Sequence, residues 1–369
     1  MFRFSHAKFS HSIVLRTDTE GSPERCRVAR SSRGRGNDGL RAGLLLLAGV
    51  MTVGCAGVPR SPVAAGTQAT LVPNVHHAGE GPAWDGARRT LYFVGDDRIS
   101  KMQEGRPSRD FRHPVKGANG LILDRQGRLI ACEAGNRRVT RTDRNGRVEV
   151  LAEWFEKHRF NSPNDLSIDS KDRIFFTDPR YGSRETMEQR DAQGRLVEGV
   201  YRIDGPGKIT RVLGRDLVDR PNGVLVSPDD RHLFVADNNN SAGGVRKLWR
   251  FDLDADGNVV PGSRKMLFDW KTSRGPDGIK MDTQNRLFVA AGLNVDNLPH
   301  ETAKPYPGGV YVFSETGKLL DFIPVPKDEV TNCAFGGADL RTLYITAGGT
   351  LWSIRTDSPG RVLFQPKAR

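Results

Sequence analysis

The stretch GLILDRQGRLIACEAGNRRVTRTDRNGRVEVL, residues 120–151, alternates short apolar runs with polar turns. The turns DRQGR and DRNGR contain Asp and Gly, the residues that favour tight turns. Such a unit predicts a meander of short β-strands. The whole chain has 41 Gly and 21 Pro residues, which also favours many strands joined by turns over a helical protein.

The same unit occurs six times. The other copies are GPAWDGARRTLYFVG (81–95), DLSIDSKDRIFFTDP (165–179), GVLVSPDDRHLFVAD (223–237), GIKMDTQNRLFVAAG (278–292) and CAFGGADLRTLYITAG (333–348). The first apolar residues after the turn are Leu91, Leu129, Ile174, Leu233, Leu287 and Leu343. Each interval between them accommodates about four short strands, the content of one propeller blade. We therefore predict an all-β, six-bladed β-propeller. Two packed β-sandwiches are the alternative, but they would not require six copies in one phase.

A polar side chain occupies the same position in all six copies. Five residues before the first turn residue lie Glu80, Asn119, Asn164, Asn222, Asp277 and Asn332. The innermost strand of each blade follows the central channel, so these residues are expected to form a ring at one channel mouth. Each of these residues alone could be an ordinary turn residue. Six polar residues at the same position of the repeat, however, indicate a functional site.

The ring would offer two carboxylates and four carboxamides. These hard oxygen ligands suit Ca²⁺ better than Zn²⁺, which favours His and Cys, although oxygen-dominated sites also accept Mn²⁺, Mg²⁺ and Zn²⁺. A bound divalent ion polarises a carbonyl oxygen and activates a water, and Asp277 is our candidate general base toward that water. The chain has no GxSxG elbow, which disfavours serine chemistry.

Several motifs resemble those of the gluconolactonase/regucalcin (senescence marker protein) family. They are EGPAWD at 80, NSPNDLSID at 161, FTDPRYG at 176, RPNGVLVSPD at 220, GPDGIKMD at 275 and TNCAFGG at 331. The resemblance covers roughly residues 71–365. It implies a calcium-dependent lactone hydrolase with Glu80, Asn164, Asn222 and Asp277 as metal ligands, and Asp277 also as the base.

The resemblance leaves other residues as candidates for substrate contact. Asn119 and Asn332 would face the same mouth, and Glu133 and Tyr181 are further candidates. Many related sequences have His after the Glu of CEAG, where this chain has Ala134, so the substrate preference can differ. Arg137 and Arg138 could face the pocket or lie in a solvated turn.

The expected reaction is hydrolysis of a sugar-type lactone. The carbonyl would bind the metal, water activated by Asp277 would attack it, and ring opening would give the aldonate. The same ring would also suit an arylesterase or an organophosphate hydrolase. A non-enzymatic reading, in which calcium stabilises a propeller that binds a sugar or a protein, remains open.

The N-terminal segment predicts export. A basic stretch precedes an apolar core at about residues 42–53, too short for a mature membrane helix and typical of a signal peptide. Small residues precede Cys55, as in a bacterial lipoprotein signal, in which Cys55 would be lipidated. We predict an export segment at 1–55, a flexible tether at 56–70 and the propeller at 71–369. The protein would be periplasmic or membrane-anchored; an ordinary secretory signal or an uncleaved anchor are the alternatives.

The charge distribution argues against a nucleic-acid partner. The net charge is +12, but residues 1–60 hold ten Lys or Arg against four Asp or Glu, and the remainder hold 46 against 40. The body has no basic run interleaved with stacking aromatics. Four cysteines provide neither a metal pair nor a dense disulfide framework, and Cys132 and Cys333 are expected as buried thiols. The sequence does not indicate the oligomeric state.

Overall fold

The computed structural model describes residues 61–362. The predicted export segment, its Cys55 and residues 56–60 of the predicted tether lie outside these residues. Within the described part, the chain forms six four-stranded antiparallel sheets and one two-stranded hairpin. None of its elements is a helix, so this part holds no helical segment able to cross a membrane. The predicted six-bladed β-propeller is confirmed.

The strands follow one another in chain order within the blades. Blade 1 contains β2 (Glu80–Asp85), β3 (Thr90–Gly95), β4 (Arg98–Gln103) and β5 (Arg109–Arg112). Blade 2 contains β6 (Ala118–Leu123), β7 (Leu129–Glu133), β8 (Arg138–Thr142) and β9 (Val148–Ala152). The hairpin β10 (Trp154–Phe155) and β11 (His158–Arg159) follows. Blade 3 contains β12 (Leu166–Ile168), β13 (Ile174–Asp178), β14 (Gly199–Gly205) and β15 (Lys208–Leu213).

The second half repeats the arrangement. Blade 4 contains β16 (Pro221–Val226), β17 (His232–Asn238), β18 (Arg246–Asp252) and β19 (Lys265–Asp269). Blade 5 contains β20 (Pro276–Met281), β21 (Leu287–Ala291), β22 (Gly309–Phe313) and β23 (Leu319–Pro324). Blade 6 contains β24 (Val330–Gly336), β25 (Thr342–Ala347), β26 (Thr350–Arg355) and, as its outermost strand, β1 (Thr70–Leu71).

Strand β1 closes the propeller. Thr70 pairs with Ser353 and Leu71 with Trp352, so the N-terminal strand completes the last blade. The chain before β1 also contacts the propeller, because Val63 and Ala69 are buried in the core shared with blades 5 and 6. Val63 and Ala69, in the segment that we expected as a flexible tether, are therefore packed against the blades, whereas residues 64–68 between them are exposed.

Apolar side chains fill the spaces between neighbouring blades. Phe288 of β21 and Phe335 of β24, for example, meet edge to face with ring centroids 4.9 Å apart. Trp270, Phe93 and Phe175 are fully buried. This packing holds neighbouring blades together. The first strand of each blade contacts the first strands of its neighbours around the channel; these strands are β2, β6, β12, β16, β20 and β24.

The turns that gave the repeat its signature are held by their own Asp side chains. Asp124 Oδ1 accepts the backbone N–H groups of Gln126 and Arg128, at 3.0 and 2.9 Å. The Arg128 side chain donates back to Asp124 Oδ2 at 2.6 Å. Asp169 with Arg173 and Asp282 with Arg286 repeat this arrangement. The Asp-to-Arg spacing of four residues is therefore a turn motif, which fixes the register of the first two strands.

Candidate functional site

The six in-phase polar residues lie at the same end of the innermost strands. Glu80 begins β2, and Asn119, Asn222 and Asp277 are the second residues of β6, β16 and β20. Asn164 lies two residues before β12, and Asn332 is the third residue of β24. All six therefore lie at one mouth of the channel.

Close backbone approaches link these positions in the first half of the ring. The Gly120 N–H donates to Asn164 O at 2.7 Å, which joins blades 2 and 3. A Cβ on Gly81, next to Glu80, would lie only 2.2 Å from Asn119 O. Thr177 joins blades 3 and 4, because its Oγ1 donates to Asn222 O at 2.6 Å and its carbonyl accepts the Asn164 N–H at 2.9 Å.

The second half of the ring is equally tight. A Cβ on Gly223 would lie 2.1 Å from Asp277 O, and one on Gly278 would lie 2.0 Å from Asn332 Oδ1. Asn332 Nδ2 donates to Glu80 Oε2 at 3.1 Å, which joins blade 6 to blade 1. The chain of contacts is thereby closed, and the structure brings all six predicted positions together.

Acidic side chains at the ends of the second strands hold the turns that lead into the ring. In blade 3, Asp178 accepts the N–H groups of Asn161 and Ser162, each at 2.8 Å. In blade 4, Asp237 accepts the N–H of Arg220 at 2.7 Å. Burial raises the pKa of Asp178 to about 7 and that of Asp237 to about 6. We did not predict these supporting residues from the sequence. An Asp at or next to the end of the second strand in two copies of the repeat was the signal that could have found them.

Three ring oxygens are buried without a hydrogen-bond donor. They are Asn164 Oδ1, Asn222 Oδ1 and Asp277 Oδ1, on side chains of residues that are 6%, 4% and 3% exposed. Buried acceptors are almost always paired, so three orphans at one mouth require an explanation. Carboxylate and amide oxygens are the ligands that Ca²⁺ prefers, and the set therefore fits a hard divalent cation, with the Glu80 carboxylate beside it.

The carboxylates of the ring have raised pKa values. Burial, followed by the charge of Asp165, raises the pKa of Glu80 to about 7. Burial and the Glu80 charge raise the pKa of Asp277 well above its usual range, although Arg274 acts in the opposite direction. Carboxylates that are crowded and desolvated in this way favour the neutral form unless a cation is bound between them.

Asp165 is a third carboxylate of the site, which the sequence reasoning missed. It follows Asn164 and is buried, and its Oδ2 lies 3.5 Å from Asn332 Nδ2. In four copies the residue after the ring position is Gly, and in one it is Cys333. A charged residue at that position was therefore the signal that could have found it.

Arg274 connects Asp277 to a buried ionic network. Its Nη2 donates to Asp277 Oδ2 at 2.8 Å, and its Nη1 lies 3.8 Å from Glu301 Oε2 and also contacts Glu329. Glu301 in turn lies 3.7 Å from Arg246 Nε. Asp277 Oδ2 is therefore occupied by Arg274, and only Oδ1 is left without a hydrogen-bond partner.

Comparisons with known proteins identify the family of this chain. Residues 78–349 match the model of the SMP-30/Gluconolactonase/LRE-like region. The chain belongs to this family. A gluconolactonase from Zymomonas mobilis is 31% identical over 267 residues, which cover 69% of this chain and 67% of that protein.

Solved structures add two similar propellers. The gluconolactonase XC5397 from Xanthomonas campestris is 30% identical with a TM-score of 0.64, and the match covers 79% of this chain and 89% of that one. Regucalcin from Agrobacterium tumefaciens, described as a calcium-binding protein, matches with a TM-score of 0.60 at 18% identity, covering 82% and 98%. The latter likeness concerns the fold.

Within residues 61–362, no group of three or more His, Cys, Asp or Glu side chains is arranged to hold a metal ion. The ring of this SMP-30/gluconolactonase-like chain differs from such a group because four of its six side chains are amides. The two ring residues that we expected to contact substrate differ in burial: Asn119 is half-buried, whereas Asn332 is buried. The side-chain oxygen of Asn332 accepts a hydrogen bond from Lys280 at 3.3 Å.

Tyr181 reaches the ring from the loop after β13. Its hydroxyl accepts a hydrogen bond from Asn222 Nδ2 at 2.9 Å and donates to Asn238 O at 3.0 Å. The Arg220 guanidinium lies over the Tyr181 ring, 5.4 Å from its centroid. Tyr181 therefore orients the amide of a candidate ligand.

Glu133 is the most completely satisfied of the predicted substrate contacts. Its carboxylate accepts hydrogen bonds from Asn136 at 2.7 Å, from Arg138 and Thr140 at 2.8 Å each, and from Arg112. Arg137 pairs with Glu188, Nη1 to Oε1 at 2.8 Å, and Arg138 is one of the Glu133 donors. Both arginines are thus occupied by carboxylates of the protein.

Proposed function

We propose that this protein is a metal-dependent hydrolase that opens a sugar-type lactone at the channel mouth. The observation that carries the proposal is the set of three buried, unpartnered oxygens, Asn164 Oδ1, Asn222 Oδ1 and Asp277 Oδ1, beside the Glu80 carboxylate. Membership of the SMP-30/gluconolactonase/LRE-like family and 31% identity to a gluconolactonase support the choice of a lactone.

The residues that would hold the cation are Glu80, Asn164, Asn222 and Asp277. Ca²⁺ is our first choice because the donors are all carboxylate or amide oxygens, and a propeller of the same fold is described as calcium-binding. Mn²⁺, Mg²⁺ and Zn²⁺ are the alternatives for an oxygen-rich site. When bound, the cation supplies polarisation of a carbonyl oxygen and a lower pKa for a nearby water.

The side chains of the protein transfer the proton and position the substrate. Asp277 Oδ1 has no donor and takes the proton of the attacking water, while Arg274 holds the other oxygen in place. The water oxygen forms a bond to the carbonyl carbon, the ring C–O bond breaks, and the proton passes to the leaving alkoxide oxygen. The product is the open hydroxy acid. Asn119 and Tyr181 lie at the mouth, where they can contact substrate hydroxyls.

The test combines metal analysis with hydrolysis. The protein as purified is expected to contain about one divalent ion per chain and to hydrolyse glucono-1,5-lactone until a chelator removes the ion. Asp277→Asn and Asn222→Ala are expected to lose at least about 100-fold in kcat/KM. Asn145→Ala, at an exposed turn, is the matched control and should retain full activity.

Three results would reject the proposal. Full activity of the metal-free protein would remove the metal dependence, and an active Asp277→Asn would remove the assigned base. A metal-loaded protein that is inert toward lactones, aryl esters and organophosphates would instead favour a calcium-stabilised binding propeller. Activity on aryl esters or organophosphates alone would keep the site and change the substrate.

We also propose that the protein is exported and lipidated at Cys55, since a basic stretch, an apolar core and small residues precede this cysteine. Intact-mass spectrometry of membrane fractions tests this. A mature protein that retains residues 1–54, or an unmodified Cys55, would reject it.

A further inference from the structure

One cavity of the described residues 61–362 lies away from the ring. It has a volume of about 540 Å³ and lies between blades 1 and 2, walled by strands β3, β4 and β5 and by the turns β6–β7 and β8–β9. None of the six ring residues lines it. Five cationic side chains do: Arg88, Lys101, Arg106, Arg109 and Arg144.

The strand register forces two of these cations together. Lys101 on β4 pairs directly opposite Arg109 on β5, and Tyr92 on β3 lies opposite Lys101. Like charges directly opposite each other destabilise a sheet. Burial, then Arg109 and Arg88, lowers the pKa of Lys101, which is the direction expected for a cation among cations.

Arg88 is paired with Asp85, Nη1 to Oδ2 at 2.7 Å, but the cavity lining provides little negative charge beside Lys101 and Arg109. Asp143 is the only carboxylate among the lining residues, and its Oδ1 already accepts the backbone N–H groups of Asn145 and Arg147, at 2.8 and 2.9 Å. Among the described residues, neither Lys101 nor Arg109 forms an ion pair with a carboxylate; the described side-chain partner of Lys101 is the Phe111 ring, 5.1 Å from Nζ to centroid.

The wall beside the cations is apolar and aromatic. Tyr92 and Phe111 pack edge to face with centroids 5.0 Å apart, and Leu123 and Leu129 complete the lining on the blade 2 side. A cavity with a cationic end and an apolar wall suits a molecule that has an anionic group and a larger organic portion. Guanidinium and ammonium groups together are the usual phosphate ligands of proteins.

We propose that the cavity between blades 1 and 2 binds an organic phosphate, with the phosphate against Lys101 and Arg109 and the organic portion against Tyr92 and Phe111. The phosphate neutralises the opposed cations, so its binding and the local stability of blade 1 are coupled. The site is independent of the ring and of the hydrolysis proposed there. A soluble sugar phosphate and a phospholipid headgroup present the same chemistry, and the experiment distinguishes them.

The test is calorimetric titration of the full chain at low salt with glucose 6-phosphate and pyrophosphate, with glucose as the neutral control. Vesicles of phosphatidylglycerol, compared with phosphatidylcholine, test a lipid source. We expect saturable binding of a phosphate probe and none of glucose. Lys101→Gln/Arg109→Gln should weaken it by at least about tenfold, and lactone hydrolysis should not change.

A matched variant, Lys208→Gln/Lys318→Gln, removes the same charge from exposed positions in blade 3 and in the β22–β23 turn and should bind as the wild type does. Without phosphate, the cavity variant should melt no lower than the wild type, because a like-charge contact is removed. Binding to phosphatidylglycerol vesicles alone would identify a lipid headgroup. Failure of all phosphate probes to bind, or equal weakening by both double variants, would overturn the proposal.

Discussion

Arg274 binds one carboxylate oxygen of Asp277 and leaves the other without a donor. Nη2 lies 2.8 Å from Oδ2, whereas Oδ1 is buried and unpartnered at the ring. A charge-assisted hydrogen bond from a buried guanidinium is strong and holds the oxygen that accepts it in place. The free oxygen therefore keeps one direction, which is a requirement for a group that is to hold an ion or take a proton.

The first prediction concerns the stability of this arrangement. Arg274→Met leaves Asp277, Glu301 and Glu329 without their common cation, and removing one partner of a buried ion pair costs about 3 to 5 kcal/mol. We expect a loss of unfolding free energy of that order in urea denaturation at a fixed, saturating Ca²⁺ concentration, at which Asp277 is ionised. Kinetic measurements with added metal should show a lower kcat.

The control is an exposed ion pair. Arg355 and Asp339 pair at the surface, with side chains 56% and 50% exposed, where an ion pair contributes less than about 1 kcal/mol. Arg355→Met should therefore change the unfolding free energy little. Equal losses for the two variants would contradict the assignment of Arg274 as the holder of Asp277.

The second prediction concerns Tyr181. Its hydroxyl accepts a hydrogen bond from Asn222 Nδ2, which holds the amide in the orientation that leaves Asn222 Oδ1 buried and unpartnered. Tyr181→Phe removes that acceptor and allows the amide to rotate, and the loss of a partner behind a metal ligand weakens binding about 10- to 100-fold. We expect this weakening in a calorimetric titration with Ca²⁺, with little change in melting temperature.

Tyr311→Phe is the matched control. The Tyr311 hydroxyl donates to Pro307 O at 2.7 Å and contacts no ring residue. Its removal should leave the affinity for Ca²⁺ unchanged. If both variants bind Ca²⁺ as tightly as the wild type, the ring amide is not oriented by Tyr181.

The sequence was sufficient for the fold and for the ring because both depend on local periodicity. The turn Asp residues fix the register of the first two strands, so a position counted from Asp124 or Asp282 has the same place in each blade. Glu80 and Asn332 could thus be brought together although 252 residues separate them.

The residues behind the ring could not be obtained in this way. Glu301 and Glu329 lie outside the repeat, in the β21–β22 and β23–β24 connections, and they approach Arg274 only because those connections fold over the mouth. Val63 likewise precedes the first copy of the repeat, so the repeat could not predict that this residue is buried in the core. Partners that depend on loop conformation have no periodic signal.

The third prediction tests the contact between blades 4 and 5. A Cβ on Gly223 would lie 2.1 Å from Asp277 O, and backbone on both sides prevents simple relief. Gly223→Ala should therefore separate Asn222 from Asp277 and cost about 1 to 3 kcal/mol of stability, with weaker metal binding. Gly214→Ala, whose nearest neighbouring atom is 4.0 Å away, should be neutral or slightly stabilising. Similar melting and metal affinity for the two variants would show that the blades are not in close contact there.

The fourth prediction concerns pH and Asp237, which is buried and accepts the N–H groups of Asp219 and Arg220. Burial raises its pKa from 3.8 to about 6 in the folded chain. Between about pH 4 and 6 the folded chain retains a proton that the unfolded chain has lost, so this group's contribution to stability falls as pH rises. The loss should total about 2 to 3 kcal/mol and be complete above about pH 6.

Asp237→Asn removes this titration and serves as the reference. Asn accepts fewer hydrogen bonds, which gives a constant offset, so the informative quantity is how the difference in unfolding free energy between wild type and variant changes from pH 4 to pH 7. We expect the wild type to lose stability relative to the variant over that range. Asp254, an exposed turn residue whose pKa is lowered by the backbone N–H of Asn258, has the opposite sign and a different pH range: the wild type should gain relative to Asp254→Asn as pH rises toward about pH 4, with little further change up to pH 7. If the wild type instead gains stability relative to Asp237→Asn as pH rises, the hydrogen bonds to the Asp237 carboxylate outweigh the effect of its burial.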